Sequence, residues 1–221
     1  MLNLCKIITY HYVRPIRKSQ YSEIKGRELS DFKRQIEFLK KKFTFINSKE
    51  LVESIYLEKE IPKNSILLTF DDGLKEHYAH VFPILKKYKI QGLFFPTAKP
   101  IVEKMVLNVH KIHFILAACK EKKIIVNDIF LFIKNYKEKF NLKFAEQYFE
   151  EFAIPNRFDS KEIIFIKRIL QKGFPQHVRD KLINELFEKY IQQNELEFSE
   201  NLYLSYDNIK EMQDEGMSFG S

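Results

Sequence analysis

The feature that most constrains this chain is a short apolar run, Ile66 to Phe70, which ends in two adjacent carboxylates and a glycine. The run is long enough for one buried strand, and turn-forming residues lie on both sides of it. Asp71 and Asp72 stand where that strand would end, and Gly73 permits a turn that a residue with a side chain would resist. Acidic residues at the carboxyl end of a core strand occupy the position that catalytic groups usually take in α/β folds.

The two carboxylates allow two interpretations, and their spacing leaves both open. Because Asp71 and Asp72 are adjacent, one of them would be driven to hold a proton unless a cation offsets the charge. A bound metal ion would do so, and it would leave the other Asp to act as a base. Alternatively, the pair caps a turn or the following helix, which is a common role of Asp.

A first strand precedes this run. Residues 4–10 predict a strand with Ile7 and Ile8 buried, and His11 follows at its end. If this strand lies beside the Asp71 strand, His11 faces the same rim. A histidine held within its own loop is an equally good interpretation.

A helix and another strand follow the acidic pair. Residues 92–95 predict a buried strand, and Thr97 comes shortly after it. The strand–helix–strand order predicts a parallel sheet, in which Thr97 would lie on the same rim as Asp71.

A helix-rich segment, residues 98–204, interrupts this pattern and is interpreted as an α-helical insertion. Its apolar residues recur at helical spacing and predict an ordinary core. His110 and His113 lie one helical turn apart, a spacing that can bind a metal ion. No third ligand is near them in sequence, so packed or surface histidines are favoured.

Composition narrows the classes of function. The net charge is +7, but the lysines are scattered along predicted helices, which favours solvated faces and argues against a nucleic-acid-binding stripe. The two cysteines are far apart and predict no disulfide framework. The apolar run within residues 1–9 is too short for a signal peptide, and no apolar stretch predicts a transmembrane segment. A cytoplasmic location is therefore expected.

Four blocks in the same order resemble the polysaccharide deacetylase family, the chitin- and peptidoglycan-type N-deacetylases of carbohydrate esterase family four. Residues 69–73, Thr-Phe-Asp-Asp-Gly, resemble the first motif of that family. Residues 10–12 resemble a Tyr-His pair on an opening strand, and residues 82–97 resemble the helix and strand that follow the first motif. Residues 205–221 resemble the helix and strand that lead to the second motif.

The resemblance implies an α/β fold, namely a partial (β/α) barrel with an α-helical insertion. Residues 1–97 would form the N-terminal part of the barrel, and residues 98–204 would form the insertion. Residues 205–221 would form a helix and the start of the next barrel strand.

The resemblance also implies a chemistry. The family removes N-acyl groups, most often N-acetyl, from amino sugars of a polysaccharide or a lipid-linked sugar, with a divalent metal ion that is usually zinc. Asp71 would be the general base and Asp72 a metal ligand, while His11 and Thr97 would contact the substrate.

One part of the family pattern is missing from the sequence. In the family, a His-Thr-x-x-His motif that supplies two metal ligands follows the segment like residues 217–221, and this chain does not contain it. The 221-residue chain is therefore expected to be inactive or nearly so. The rival expectation is a non-catalytic fragment that binds glycan, a complementing chain or a second copy of itself. A receiver-type phosphoacceptor domain ranks low, because no separate Asp ends a later buried strand.

Overall fold

The computed structural model describes residues 4–220 and divides them into two compact units. The first unit contains the described residues up to Ser19, Lys25–Met105 and the chain from Glu195 onward. The second contains Gln20–Ile24 and Val106–Asn194. The boundaries predicted after residues 97 and 204 stay predictions.

Strands and helices are interspersed along the first unit up to residue 103. In chain order they are β1 (Cys5–Tyr10), β2 (Val13–Arg14), a 3₁₀ turn (Ile16–Lys18), β3 (Arg27–Glu28), α1 (Leu29–Lys42), β4 (Thr44–Phe45), α2 (Ser48–Tyr56), β5 (Ser65–Asp71), a π-helical turn (His77–Val81), α3 (Phe82–Tyr88), β6 (Gly92–Phe95) and α4 (Ala98–Glu103).

The rest of the described chain is mostly helical. In chain order it contains α5 (Asn108–Ala118), α6 (Lys122–Phe140), α7 (Ala145–Phe152), α8 (Lys161–Arg168), a π-helical turn (Ile169–Gly173), α9 (Gln176–Ile191), α10 (Glu195–Leu202), α11 (Tyr206–Asp214) and β7 (Ser218–Phe219).

The described strands form a parallel sheet in the order β1-β5-β6-β7, and β4 pairs with the start of β5. A separate parallel pair joins β2 to β3. The prediction of a mixed α/β fold with a parallel sheet is thus confirmed. The side chains of β5 from Ser65 to Phe70 are all buried, so this central strand is covered on both faces.

A row of aromatic rings crosses the sheet at one register. Tyr10 pairs with Phe70, Phe70 with Phe94, and Phe94 with Phe219. The ring centroids of these neighbours are 5.3, 4.7 and 5.5 Å apart, and the rings are stacked within 28° of parallel. Cross-strand aromatic contacts of this kind stabilise one register over its neighbours.

Helix α1 covers this aromatic row. Phe32, Ile36 and Leu39 recur at helical spacing, and all three are buried. The Phe32 ring meets the Tyr10 ring edge to face at 5.1 Å. The amphipathic stripe therefore joins the helix to the same core that aligns the strands.

One prediction for β1 is wrong. Ile7 was expected to be buried, but its side chain is 54% exposed, whereas Ile8 packs against the core. Successive residues of a strand point to opposite faces, so burial of both requires a cover on each face. In the described part of the chain, β1 is covered on one face at this position.

The second unit is helical, and it contains the predicted apolar stripes. Ile112 and Ile115 of α5 are buried, as are Val178 and Leu182 of α9. His110 is fully buried, and its ring lies 6.0 Å from that of His113. Across residues 4–220, no helix combines the length and the apolarity needed to span a bilayer.

We predict that Phe70→Ala will lower the free energy of unfolding by about 3–5 kcal/mol, because it leaves a cavity between two stacked rings. Phe38→Ala is the matched control, since Phe38 on α1 is 56% exposed, and it should change stability by about 0.5 kcal/mol or less. Urea unfolding of both variants measures the difference. Equal losses would contradict the role of Phe70 in the core.

Candidate active site

The carboxylate of Asp71 lies at the rim of the sheet beside the imidazole of His11. Asp71 is the last residue of β5, and His11 directly follows β1. Because Tyr10 and Phe70 are paired, the two next side chains meet, with Nε2 of His11 3.8 Å from Oδ2 of Asp71. The side chains are 54% and 35% exposed, so both are open to solvent. The structure thus places His11 at the same rim of the sheet as Asp71, which is the position predicted for it.

Asp72 and Gly73 form the turn that follows. Both have positive φ, +72° and +63°, and Asp is among the few residues with a side chain that tolerate this conformation. A Cβ on Gly73 would lie 2.7 Å from Cβ of Pro96, so the turn approaches the end of β6 closely. The amide of Leu204 donates to the carbonyl of Gly73 at 2.8 Å. The turn is therefore held from two directions.

Thr97 lies beside this turn. It follows Pro96 and immediately precedes α4, with an extended backbone. Its amide nitrogen is 3.6 Å from the position that a Cβ on Gly73 would occupy. The structure thus brings the backbone of Thr97 next to the glycine of the acidic motif.

A buried histidine, His77, supports the loop that carries His11. Its Nε2 lies 2.7 Å from the carbonyl oxygen of His11, and since a carbonyl only accepts, Nε2 must carry the proton. Burial lowers the pKa of His77 to about 4, although the bond to His11 and the charge of Asp72 oppose this shift. Its ring lies 5.5 Å from that of Phe70, at the centre of the aromatic row. His77 is therefore a neutral support under the site.

Glu76 holds the next part of the same loop. Its Oε1 accepts from the amide of Val13 at 2.7 Å, and its Oε2 lies 3.4 Å from Nε of Arg14. Burial raises the pKa of Glu76 to about 7, while Arg14 and the Val13 amide act in the opposite direction. The chain after β1 is thus anchored to the turn after β5 at two adjacent residues.

Sequence reasoning missed Glu76 and His77. The sequence predicts a helix after the acidic pair but assigns no role to the polar residues within it. A signal was present, since His77, Val81 and Leu85 follow one another at a spacing of four, and all three are fully buried.

The donors near Asp72 do not by themselves fit a complete zinc centre. Catalytic zinc sites use about three protein ligands. Among residues 4–220 there is no group of three or more His, Cys, Asp or Glu side chains that could hold a metal ion. Asp72 can therefore supply one ligand, and further donors would have to come from outside these residues.

Comparison with known proteins places the acidic motif in a recognised family region. Residues 58–122 match the family model described as polysaccharide deacetylase, which confirms the resemblance for that part of the chain. A curated relative is the poly-beta-1,6-N-acetyl-D-glucosamine N-deacetylase of Staphylococcus epidermidis, 36% identical over 105 residues. The match covers 42% of this chain and 36% of that protein, so this chain spans about a third of the length of the relative.

Solved structures that resemble this chain cover less than half of it. IcaB from Ammonifex degensii is 30% identical with a TM-score of 0.37, and the match covers 45% of this chain and 42% of the IcaB chain. A de-N-acetylase from Aggregatibacter actinomycetemcomitans is 20% identical with a TM-score of 0.40, and the match covers 47% of this chain and 42% of that one. PplD of Streptococcus pyogenes, a deacetylase in complex with acetate, is 20% identical with a TM-score of 0.39, and the match covers 45% of each chain.

We predict that Gly73→Ala will destabilise the chain more than Gly216→Ala. Both residues have positive φ, which costs about 1–3 kcal/mol for a residue with a side chain. Of the two, only a Cβ at position 73 meets other atoms, since no atom of residues 4–220 outside the immediate neighbours lies within 4 Å of one at position 216. The clash with Pro96 should add about 1–3 kcal/mol to the loss in urea unfolding. Equal losses would show that the turn can move away from β6.

We predict that Glu76 makes stability fall as the pH rises. Its folded pKa of about 7 is above the reference value of 4.5, so the folded state keeps a proton that the unfolded state has lost. The contribution is present below pH 4.5 and is lost on the way to pH 7.

The variant Glu76→Gln isolates this contribution, because the opposite pH response of His77 is common to both proteins. Between pH 5 and 8, the free energy of unfolding of the wild type should fall relative to the variant by about 2–3 kcal/mol. Urea unfolding at several pH values gives both curves. Parallel curves would mean that Glu76 has an ordinary pKa.

Proposed function

We propose that this chain carries the acidic half of a metal-dependent N-deacetylase site that removes N-acyl groups, expected to be N-acetyl, from amino sugars of a polysaccharide or a lipid-linked sugar. The observation that carries the proposal is the Asp71 carboxylate, open at the sheet rim and 3.8 Å from His11. It lies within the residues that match the polysaccharide deacetylase family. The relative from Staphylococcus epidermidis is named for the same class of reaction.

Asp71 is the general base of the proposed reaction. Hydrolysis of an amide needs a group that takes a proton from the attacking water, and a partly exposed carboxylate can do so. The His11 imidazole, 3.8 Å away, is too far from Asp71 for a direct hydrogen bond. His11 and Thr97 flank the acidic motif, so they are the residues proposed to contact the sugar.

Asp72 is the proposed ligand of the divalent metal ion, expected to be zinc. Such an ion polarises an amide carbonyl and lowers the pKa of bound water. The described residues do not complete its ligand set. The proposal therefore includes a second source of donors, either further polypeptide or a complementing chain.

We also propose that the parallel sheet is part of a (β/α) barrel. The described sheet is parallel and β1 forms one end of its order, so additional strands beside β1 or β7 would extend it toward a (β/α) barrel. A complementing chain would then add both strands and donors.

A non-catalytic role is the alternative that one observation favours. The described residues hold no group of three metal donors, which leaves a rim that can bind a sugar without hydrolysing it. In that case, the chain would bind N-acetylated glycan, and Asp71→Asn would leave binding intact.

We predict that the 221-residue chain with zinc releases acetate from β-1,6-linked N-acetylglucosamine oligomers no faster than its Asp71→Asn variant. Fused to the part of the Staphylococcus epidermidis relative beyond the matched region, the chain should release acetate. Asp71→Asn in the fusion should lower kcat by about 100-fold or more. The exposed Asp214 on α11 provides the control, and Asp214→Asn should leave kcat unchanged.

Each arm of this experiment has an outcome that contradicts part of the proposal. Acetate release by the 221-residue chain alone would show that its donors suffice. Full activity of the fused Asp71→Asn variant would remove Asp71 as the base. A fusion that unfolds cooperatively yet releases no acetate would overturn the deacetylase function.

A further inference from the structure

A groove in the first unit lies next to the acidic turn, and neither Asp71 nor Asp72 lines it. Its volume is about 490 Å³, and its lining comes from Lys75, α4, the end of α10 and the start of α11. The groove adjoins the turn directly, because Leu204 donates to Gly73 and Leu74 pairs with Tyr203. A volume of this size is within the range of small-ligand sites.

Topology places this groove at the catalytic rim. Lys75 follows the carboxyl end of β5, and α4 follows the carboxyl end of β6. Helix α11 leads to the start of β7, so its first residues lie at the opposite, carboxyl end of the parallel sheet. Ligands of parallel α/β sheets bind at this end.

The charges that line the groove balance one another. Two ammonium groups, Lys75 and Lys104, face two carboxylates, Glu200 and Asp207. The chain as a whole has a net charge of +7, so the groove does not share that excess. A neutral ligand therefore suits the groove better than an anionic one.

The two lysines are oriented by one residue. Nζ of Lys75 donates to the main-chain oxygen of Glu200 at 2.8 Å, and Nζ of Lys104 donates to its Oε1 at 2.7 Å. An ammonium group has three N–H donors. Both lysines can keep these bonds and still donate to hydroxyl or amide oxygens of a ligand.

An aromatic ring stands at the edge of the groove. Tyr206, the first residue of α11, is 72% exposed. Its backbone is fixed by the capping box of Ser205 and Asn208, so the ring is presented from a rigid turn. The C–H face of a sugar ring is apolar while its edge carries hydroxyls, and an exposed tyrosine matches both properties.

We propose that this groove binds the uncleaved part of a neutral N-acetylhexosamine chain, with a sugar ring on Tyr206 and its hydroxyl and acetamido groups on Lys75, Lys104 and Glu200. This assignment rests on the proposed function, because it takes the Asp71 rim as the place of cleavage. The groove would hold the polymer so that a neighbouring sugar lies at the acidic motif.

Isothermal titration of the 221-residue chain with a hexamer of β-1,6-linked N-acetylglucosamine tests the proposal. Wild type should bind, and Tyr206→Ala should weaken binding about 10-fold or more, whereas Tyr206→Phe should stay within about 3-fold. Tyr56 on α2 is 78% exposed and provides the control, so Tyr56→Ala should stay within about 2-fold. Lys104→Gln should also weaken binding, because it removes the ammonium group that Glu200 orients.

A uronic-acid hexamer of the same length is the charge comparison. At about 0.15 M salt, which screens the attraction of distant charges, it should bind more weakly than the neutral hexamer. Absence of binding by the wild type, equal affinity of Tyr206→Ala and wild type, or tighter binding of the anionic hexamer would each overturn the assignment.

Failure of the groove and failure of the proposed function give different results. If the hexamer binds through Tyr206 but the folded fusion releases no acetate, the groove stands and the deacetylase function is wrong. If the fusion releases acetate with an unchanged KM in Tyr206→Ala, the function stands and the groove assignment is wrong.

Discussion

The stacking of four aromatic rings across the parallel sheet is the interaction on which the candidate site depends. The rings belong to Tyr10, Phe70, Phe94 and Phe219. A slip of one residue would turn each ring to the other face, so their contact fixes the register of the strands. The residue after each of the first two rings is then at the rim, which is why His11 and Asp71 meet. The same register pairs Thr9 with Thr69, whose hydroxyls are hydrogen-bonded although the two residues are 60 positions apart in the sequence.

The support beneath the site consists of two titratable groups whose burial favours their neutral forms. Glu76 keeps its proton up to about pH 7, and His77 stays uncharged down to about pH 4. Between these values the helical segment after the turn buries neither charge, and its Glu76 and His77 side chains still satisfy the Val13 amide and the His11 carbonyl. The partly exposed carboxylate of Asp71 is thus attached to a support whose hydrogen bonds do not require a buried ion.

The sequence was most informative where one local pattern determines the outcome. The run before Asp71 predicted β5, and the strand–helix–strand order predicted parallel pairing. The helical spacing of apolar residues within 98–204 predicted the buried stripes of α5 and α9. It was uninformative where burial depends on what covers a surface. Ile7 is as apolar as Ile8, yet only a long-range neighbour decides which is covered. His77 was missed for the converse reason, since its burial needs the His11 carbonyl as a partner.

The proposed metal site, for which the described residues supply one ligand, and the open side of the sheet concern the same part of the molecule. In the described chain, β1 has β5 on one side and ends the strand order, while Leu4 and Ile7 expose 85% and 54% of their surface. An open parallel edge with apolar side chains favours pairing with a further strand. That strand would bring its own carboxyl end to the rim beside His11, on the side of His11 away from Asp71. Covering β1 and adding groups to the site are therefore geometrically coupled, and one additional segment could do both.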